Sequence, residues 1–266
     1  MATQDQSNSS VFGKQRQKLI LDEIMRAGKR SVKELAERFD VTTETIRRDL
    51  STLADQGLVE KVHGGAVAKR TIVSESAVAA RHLSERPQKE AIARRAAELI
   101  VEKGARSAIL DAGSTTGLVV QFLAKGSLEI VTNDPTIASE SARAGFGTQM
   151  LPGRIRPLTL AAVGSQTVEA ARSLNADVVL LGTNAISETG LSTPDYEEAA
   201  AKAALVRAGQ YRVVLADSSK FSYSALHTFA QLEDVDAIIT DSGIDAGAQA
   251  ICESAGVDLI IVEEQA

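Results

Sequence analysis

A chain of 266 residues with 44% hydrophobic and 24% charged side chains is long enough for about two domains, each with its own core, which excludes a disordered or fibrous protein. The net charge of −6 excludes a uniformly basic nucleic-acid binder, yet residues 1–70 hold 13 Lys+Arg against 10 Asp+Glu while the remaining 196 hold 16 against 25, so only the N-terminal part suits a polyanion. One cysteine, Cys252, excludes an intramolecular disulfide and reads as a buried structural thiol; with no apolar run of membrane-spanning length and no charged-then-apolar leader, a cytoplasmic protein without a membrane partner is expected.

The first 13 residues are polar and read as a disordered tail. Domain one is expected over 14–69. Ser31 and Glu34 have the spacing of a capping box, and Val32, Leu35, Ala36 and Phe39 follow as one apolar stripe facing Leu19, Ile20 and Ile24. Val41 closes a turn, and Thr42 or Thr43 caps a second helix whose buried face is Ile46, Leu50 and Leu53. At about 100° per residue, Glu44 and Arg48 fall opposite Ile46, with Thr45 and Arg47 on its flanks. Arg47 and Arg48 therefore project outward, where a guanidinium contacts guanine or clamps a phosphate, two roles the sequence does not apportion. Thr42, Thr43 and Thr45 are candidate phosphate or thymine-methyl contacts. After Gly57, Leu58 to Val62 has strand character and Gly64-Gly65 permits a turn, which puts Lys61 and His63 on a wing beside a DNA duplex. Two helices around a tight turn followed by this hairpin make a winged helix-turn-helix.

Residues 70–87 lack firm periodicity, hold His82, end at Pro87, and read as a linker of partly helical character. From 88 to 266 amphipathic segments alternate with short apolar runs (SAILD, LEIVT, ADVVLLG, RVVLAD, AIIT, DLIIV), which implies a mostly parallel sheet flanked by helices. In such folds ligands bind beyond the C-terminal strand ends. After SAIL come Asp111, Gly113, Ser114, Thr115 and Thr116 ahead of an apolar helix, where small residues, hydroxyls and orphan amides suit a phosphate or simply cap the helix. The other polar strand ends are Thr132-Asn133-Asp134, the loop from Pro152 through Gly153 and Arg154 to Arg156, Gly182-Thr183-Asn184, and Asp217-Ser218-Ser219-Lys220. Lys220 or Arg154 can neutralise a phosphate, Asp111 and Asp217 can accept from sugar hydroxyls, and Lys202, one turn after Glu198, serves either role or forms an exposed ion pair with it. His63, His82 and His227 have no ligand spacing with Cys252, so neither a metal site nor any cofactor is expected.

The strings TIRRDL and GLVEKVHGGA resemble, nearly residue for residue, the N-terminal signature of the DeoR family of bacterial transcriptional regulators. DAGSTT, VTND, the GR loop, the G-x-N segment, E-x-x-x-K and DSSKF resemble that family's sugar-phosphate-sensing domain, so the resemblance spans roughly residues 15 to 262. It implies a C-terminal fold similar to ribose-5-phosphate isomerase, with the GST-type loop holding the phosphate of an effector. By that resemblance Asp111, Gly113, Ser114, Thr115 and Thr116 are effector-site residues, with Glu198, Lys202 and Lys220 beside them. Two departures stand out: Asn184 replaces the carboxylate an isomerase needs, which weakens catalysis, and LPGR at 151–154 replaces paired glycines, which blurs the effector's shape.

The expectation is a transcriptional regulator of double-stranded operator DNA, a repressor of carbohydrate-use genes modulated by a phosphorylated sugar. It is expected to act as a homo-oligomer, dimer or tetramer, because one recognition helix reads too few base pairs. The alternatives are a sugar-phosphate isomerase with a DNA-binding appendage and a nonspecific nucleoid protein.

Overall fold

The computed structural model describes residues 16–17, 19–21, 23–24, 29–55, 59–62, 64–68, 86–124 and 126–263. The expected tail, the linker up to residue 85, Gly57, Leu58, His63 and His82 lie outside these described residues. The chain divides into two compact units, Met1–Thr71 and Ile72–Ala266.

In the first unit, helical residues between 16 and 24 precede strand β1 (Lys29–Ser31), helix α1 (Val32–Arg38), helix α2 (Thr43–Asp55) and the hairpin of β2 (Val59–Val62) and β3 (Gly65–Ala68). The capping box forms: the Glu34 amide donates to Ser31 Oγ at 3.2 Å and the Ser31 amide to Glu34 Oε2 at 2.8 Å. Ile20, Ile24, Leu35, Ile46, Leu50 and Leu53 make the core, at about 1.5–3 kcal/mol of burial each. Leu19, expected in that core, is 48% exposed: Ile20 and Ile24 are four apart and share the inner face, which Leu19 does not join. The hairpin adds β1 as a third antiparallel strand, order β1-β3-β2. Gly65 is obligatory there, since a Cβ would lie 2.2 Å from the Arg30 carbonyl oxygen.

The second unit is built on a seven-stranded parallel sheet of β4 (Ser107–Leu110), β5 (Glu129–Thr132), β6 (Gly147–Met150), β9 (Ala176–Gly182), β12 (Gly209–Leu215), β14 (Ala237–Asp241) and β15 (Asp258–Val262), in the order β15-β14-β12-β9-β4-β5-β6. Alternate residues serve opposite faces. Ile109, Val179, Val214 and Ile238 pack with α5 (Ser165–Arg172), α6 (Tyr196–Ala208) and α7 (Ala246–Ser254). Leu110, Leu180, Leu215 and Ile239 pack with α3 (Arg86–Glu102), the segment 117–122 and α4 (Pro135–Ala144). Cys252 is fully buried on the first of these faces.

Three features depart from the sequence reading. Strand β6 carries no apolar run because it is the sheet edge and its residues are largely exposed. The run after the GST turn is a six-residue 3₁₀ helix, Gly117–Phe122, not an α-helix, so its dipole is short. A hairpin of β7 (Arg154–Ile155) and β8 (Ala162–Val163), and an antiparallel sheet of β10 (Ala185–Ser187), β11 (Gly190–Thr193) and β13 (His227–Ala230), were not legible in the pattern. Strand order runs outward in opposite directions from the β9–β4 pair, so the topological switch point lies between them.

Candidate functional site

On the first unit, α2 presents Glu44, Arg47 and Arg48 to solvent. Thr42 Oγ1 accepts from the Thr45 amide at 3.2 Å and so caps the helix, with Thr45 Oγ1 2.9 Å from it, while Thr43 is exposed in the first turn. Asp49 is buried and held by Arg16 Nε at 2.7 Å and Gln17 Nε2 at 2.9 Å, fixing the helix's inner side. Arg47 Nη1 sits 3.5 Å from Glu44 Oε2. From the wing strand β2, Lys61 Nζ donates to Ser51 Oγ at 3.0 Å, which places this cation beside the exposed side of α2. Arg47, Arg48 and Lys61 thus share one basic surface; the fourth candidate cation position, His63, is outside the described residues.

On the second unit, the pocket lies at the C-terminal ends of β4, β9 and β12, at the switch point. It is lined by the turn 112–116, Gly182–Asn184, Leu215–Asp217 and Lys220, with Lys89 from α3, Thr159 from the β7–β8 connection, and Glu198 and Lys202 from α6. The amides of Gly113, Ser114, Thr115 and Thr116 donate to no partner among the described residues, whereas the flanking Ala112 amide donates to Asn133 Oδ1 at 2.9 Å and the Gly117 amide to the Gly113 carbonyl at 3.0 Å. Four consecutive donors are therefore held in place and left open. Asn133 Nδ2 also donates to the Ala162 carbonyl at 3.3 Å, tying the turn to the hairpin.

Asp111 does not line this pocket. It is 1% exposed beneath the turn, where its Oδ2 pairs with Lys202 Nζ and accepts from the Gly182 amide at 3.0 Å. Lys202 Nζ donates further to the Gly182 carbonyl at 2.9 Å. Burial pushes the Asp111 carboxyl up, and the Lys202 ammonium pulls against that shift. Lys202 therefore joins strand ends β4 and β9 rather than pairing with Glu198. Glu198 is instead buried and accepts from Thr159 Oγ1, from Arg156 Nη1 at 3.2 Å and from Thr193 Oγ1 at 3.4 Å.

Asp217 is 2% exposed; its Oδ1 accepts from the Ser219 amide at 3.2 Å, and its Oδ2, 3.8 Å from Lys220 Nζ, accepts no hydrogen bond among the described residues. The turn is braced by Tyr223, whose hydroxyl donates to the Ser219 carbonyl and whose burial, next to Asp217, pushes the phenol up to about 12.

Gly153 and Arg154 are not brought to the pocket. Arg154 is exposed and pairs with Glu197. Gly153, at φ 147°, lets the chain pass where a Cβ would sit 2.1 Å from Thr167 Oγ1 and 2.8 Å from the Val163 carbonyl oxygen. Gly153→Ala is expected to destabilise this unit by about 2 kcal/mol or more, read as a lowered Tm; an unchanged Tm would mean the hairpin yields freely.

Lys89 and Thr159 were missed by sequence reasoning. Lys89 is 3% exposed and occupies the buried stripe of α3 with Ile92, Ala93 and Ala96. A lysine at i of an apolar i+3, i+4, i+7 stripe is the signal that could have found it. Thr159 sits in an irregular connection and had none.

A family profile described as "DeoR-like helix-turn-helix domain" matches residues 16–71, and one described as "DeoR C terminal sensor domain" matches residues 84–242. The HTH-type transcriptional regulator GlpR of Haloferax volcanii is 35% identical over 248 residues, covering 92% of this chain and 96% of that protein. The glycerol-3-phosphate regulon repressor of Escherichia coli K12 is 31% identical over 231 residues, covering 86% and 90%. Among solved structures, ribose 5-phosphate isomerase A from Methanocaldococcus jannaschii shares 17% identity over 52% of this chain and 56% of its own, at a TM-score of 0.39.

Proposed function

The chain belongs to the DeoR family of transcriptional regulators, and from that premise we propose that it is a repressor of carbohydrate-metabolism genes whose operator affinity is set by a phosphorylated sugar in the pocket at Gly113–Thr116. It is a DNA-binding regulator and not an enzyme, as its relatives along most of their length are named regulators and repressors.

The observation that carries the ligand reading is the run of four open backbone amides at the switch point. Such a run, with the hydroxyls of Ser114 and Thr115 and the ammonium groups of Lys89 and Lys220 on the same walls, has the donors an anion with several acceptor oxygens needs, while the Thr116 hydroxyl is spent on the Gly113 carbonyl. Glu198, Asp217 and Asn184 supply the acceptors that a polyhydroxylated body needs. One relative is by name the repressor of a glycerol-3-phosphate regulon, in keeping with a phosphate ester.

Control requires that the ligand favour one of two protein states, typically by about 1–3 kcal/mol, or 5- to 150-fold in operator affinity. Two recognition helices related by symmetry read a repeated site, so the acting species is a homo-oligomer, at least a dimer, in the cytoplasm.

The test is fluorescence anisotropy of the full chain on DNA from upstream of its own gene, with a panel of phosphosugars, the unphosphorylated sugars and inorganic phosphate. One phosphosugar is expected to change operator affinity at least fivefold while its unphosphorylated form does not. If specific binding occurs and no phosphorylated compound alters it, or the free sugar acts equally well, the ligand reading fails.

A further inference from the structure

The outward face of α2 carries a carboxylate where phosphate binding alone would not place one. At about 100° per residue, Glu44 and Arg48 lie opposite Ile46, which is fully buried. The Glu44 side chain is 71% exposed, in the first turn of the helix, with Arg47 Nη1 3.5 Å from its Oε2. Asp49 on the same helix has a structural use, buried against Arg16 and Gln17. Glu44 has none of that kind.

A carboxylate in the first turn does favour the helix through its dipole, and an exposed ion pair adds a little. Each changes an equilibrium by about fivefold at most. Against this, a negative side chain entering a groove between two phosphate chains is repelled throughout the approach, and the repulsion is offset only where the oxygen accepts a hydrogen bond from a base. In the major groove the available donors are cytosine N4 and adenine N6, and adenine N7, itself an acceptor beside N6, repels a carboxylate. In helix-turn-helix proteins the N-terminal residues of the recognition helix are the ones that meet base edges.

We infer that Glu44 is a specificity-determining residue of the DNA interface, accepting a hydrogen bond from the exocyclic amino group of a cytosine, with Arg47 holding the carboxylate in place before DNA is bound. Arg48, opposite the core and without a carboxylate partner among the described residues, stands beside it on the same outward face. The inference rests on α2 being the element that enters the groove, which the Arg47/Arg48 double variant tests separately.

The experiment is selection of bound duplexes from a library with a randomised core, using the full chain as wild type, Glu44→Ala and Glu44→Gln, followed by affinity measurements on the selected and unrelated duplexes. Wild type is expected to require a C·G pair at one position in each half-site. Glu44→Ala flattens that position by roughly tenfold, leaves the other positions intact and raises affinity for unrelated DNA. Glu44→Gln, whose amide both donates and accepts, shifts the same position towards adenine. If both variants keep every wild-type base preference, or lose all duplexes alike while the far-ultraviolet spectrum stays helical, Glu44 is a helix-end charge and no base reader.

Discussion

Replacing Arg47 and Arg48 together by alanine is expected to lower operator affinity by about a thousandfold or more while leaving phosphosugar binding unchanged. Each arginine is free to make one bidentate base contact or one phosphate clamp, and a good bidentate contact is worth about 1–3 kcal/mol per helix. In the proposed dimer two such helices double the loss. The variant should fold: both side chains are exposed, alanine is the better helix former, and the surface pair of Arg47 with Glu44 contributes less than about 1 kcal/mol. The two roles separate by salt. Loss of a phosphate clamp reduces the slope of log K against log salt by about one per contact, whereas loss of a base reader levels the preference at one position and leaves the slope largely intact. Unchanged operator affinity in a folded double variant would remove α2 from the interface.

Lys202→Met should be the most damaging single change in the sensor unit. It strands the Asp111 carboxylate, which is 1% exposed and whose Oδ2 would retain only the Gly182 amide. Breaking a buried pair by removing one partner costs about 3–5 kcal/mol. For a unit of this size that is roughly 10 °C in Tm. The pH dependence follows from the raised carboxyl. Its folded-state pKa lies above the unfolded value, so the folded form holds the proton more tightly, and stability is lost as pH rises from about 4 through the folded pKa. Without the Lys202 ammonium that pKa rises further. The deficit of Lys202→Met is therefore greatest near neutral pH and shrinks on acidification. Adding Asp111→Asn should restore most of the lost Tm, because a neutral amide leaves no stranded charge. Equal Tm values for Lys202→Met and wild type across pH would show that the pair carries no weight.

The effect on ligand is indirect. Lys202 also holds the Gly182 carbonyl, so its loss frees the ends of β4 and β9 that shape the Gly113–Thr116 turn. Weakened phosphosugar binding should accompany lower stability, and Asp111→Asn/Lys202→Met should regain stability ahead of affinity.

Much of the architecture was readable because local pattern and global fold agree. The Ser31–Glu34 box, the Ile46/Leu50/Leu53 stripe and six apolar strand runs each state their own structure, since a 3.6 or 2.0 residue period is set by backbone geometry alone. Strand β6 was invisible for the converse reason: an edge strand buries little and needs no apolar run. The β7–β8 hairpin and the β10–β11–β13 sheet depend on pairings between distant segments, such as Leu191 with Ala230, which no local period encodes.

By itself the sequence determined that there are two functional parts, a basic helix-turn-helix and an acidic α/β unit with small polar residues at its strand ends, because charge balance and periodicity are properties of residue order. Only the tertiary structure decided what those strand-end residues do. It buried Asp111 under Lys202, took Gly153 and Arg154 away from the pocket, brought Lys89 to it from a helix 24 positions before Gly113, and left four amides open. The physical reason is that a side chain's role depends on which partners come within hydrogen-bonding reach, and that is fixed by strand order across the sheet rather than by neighbours along the chain.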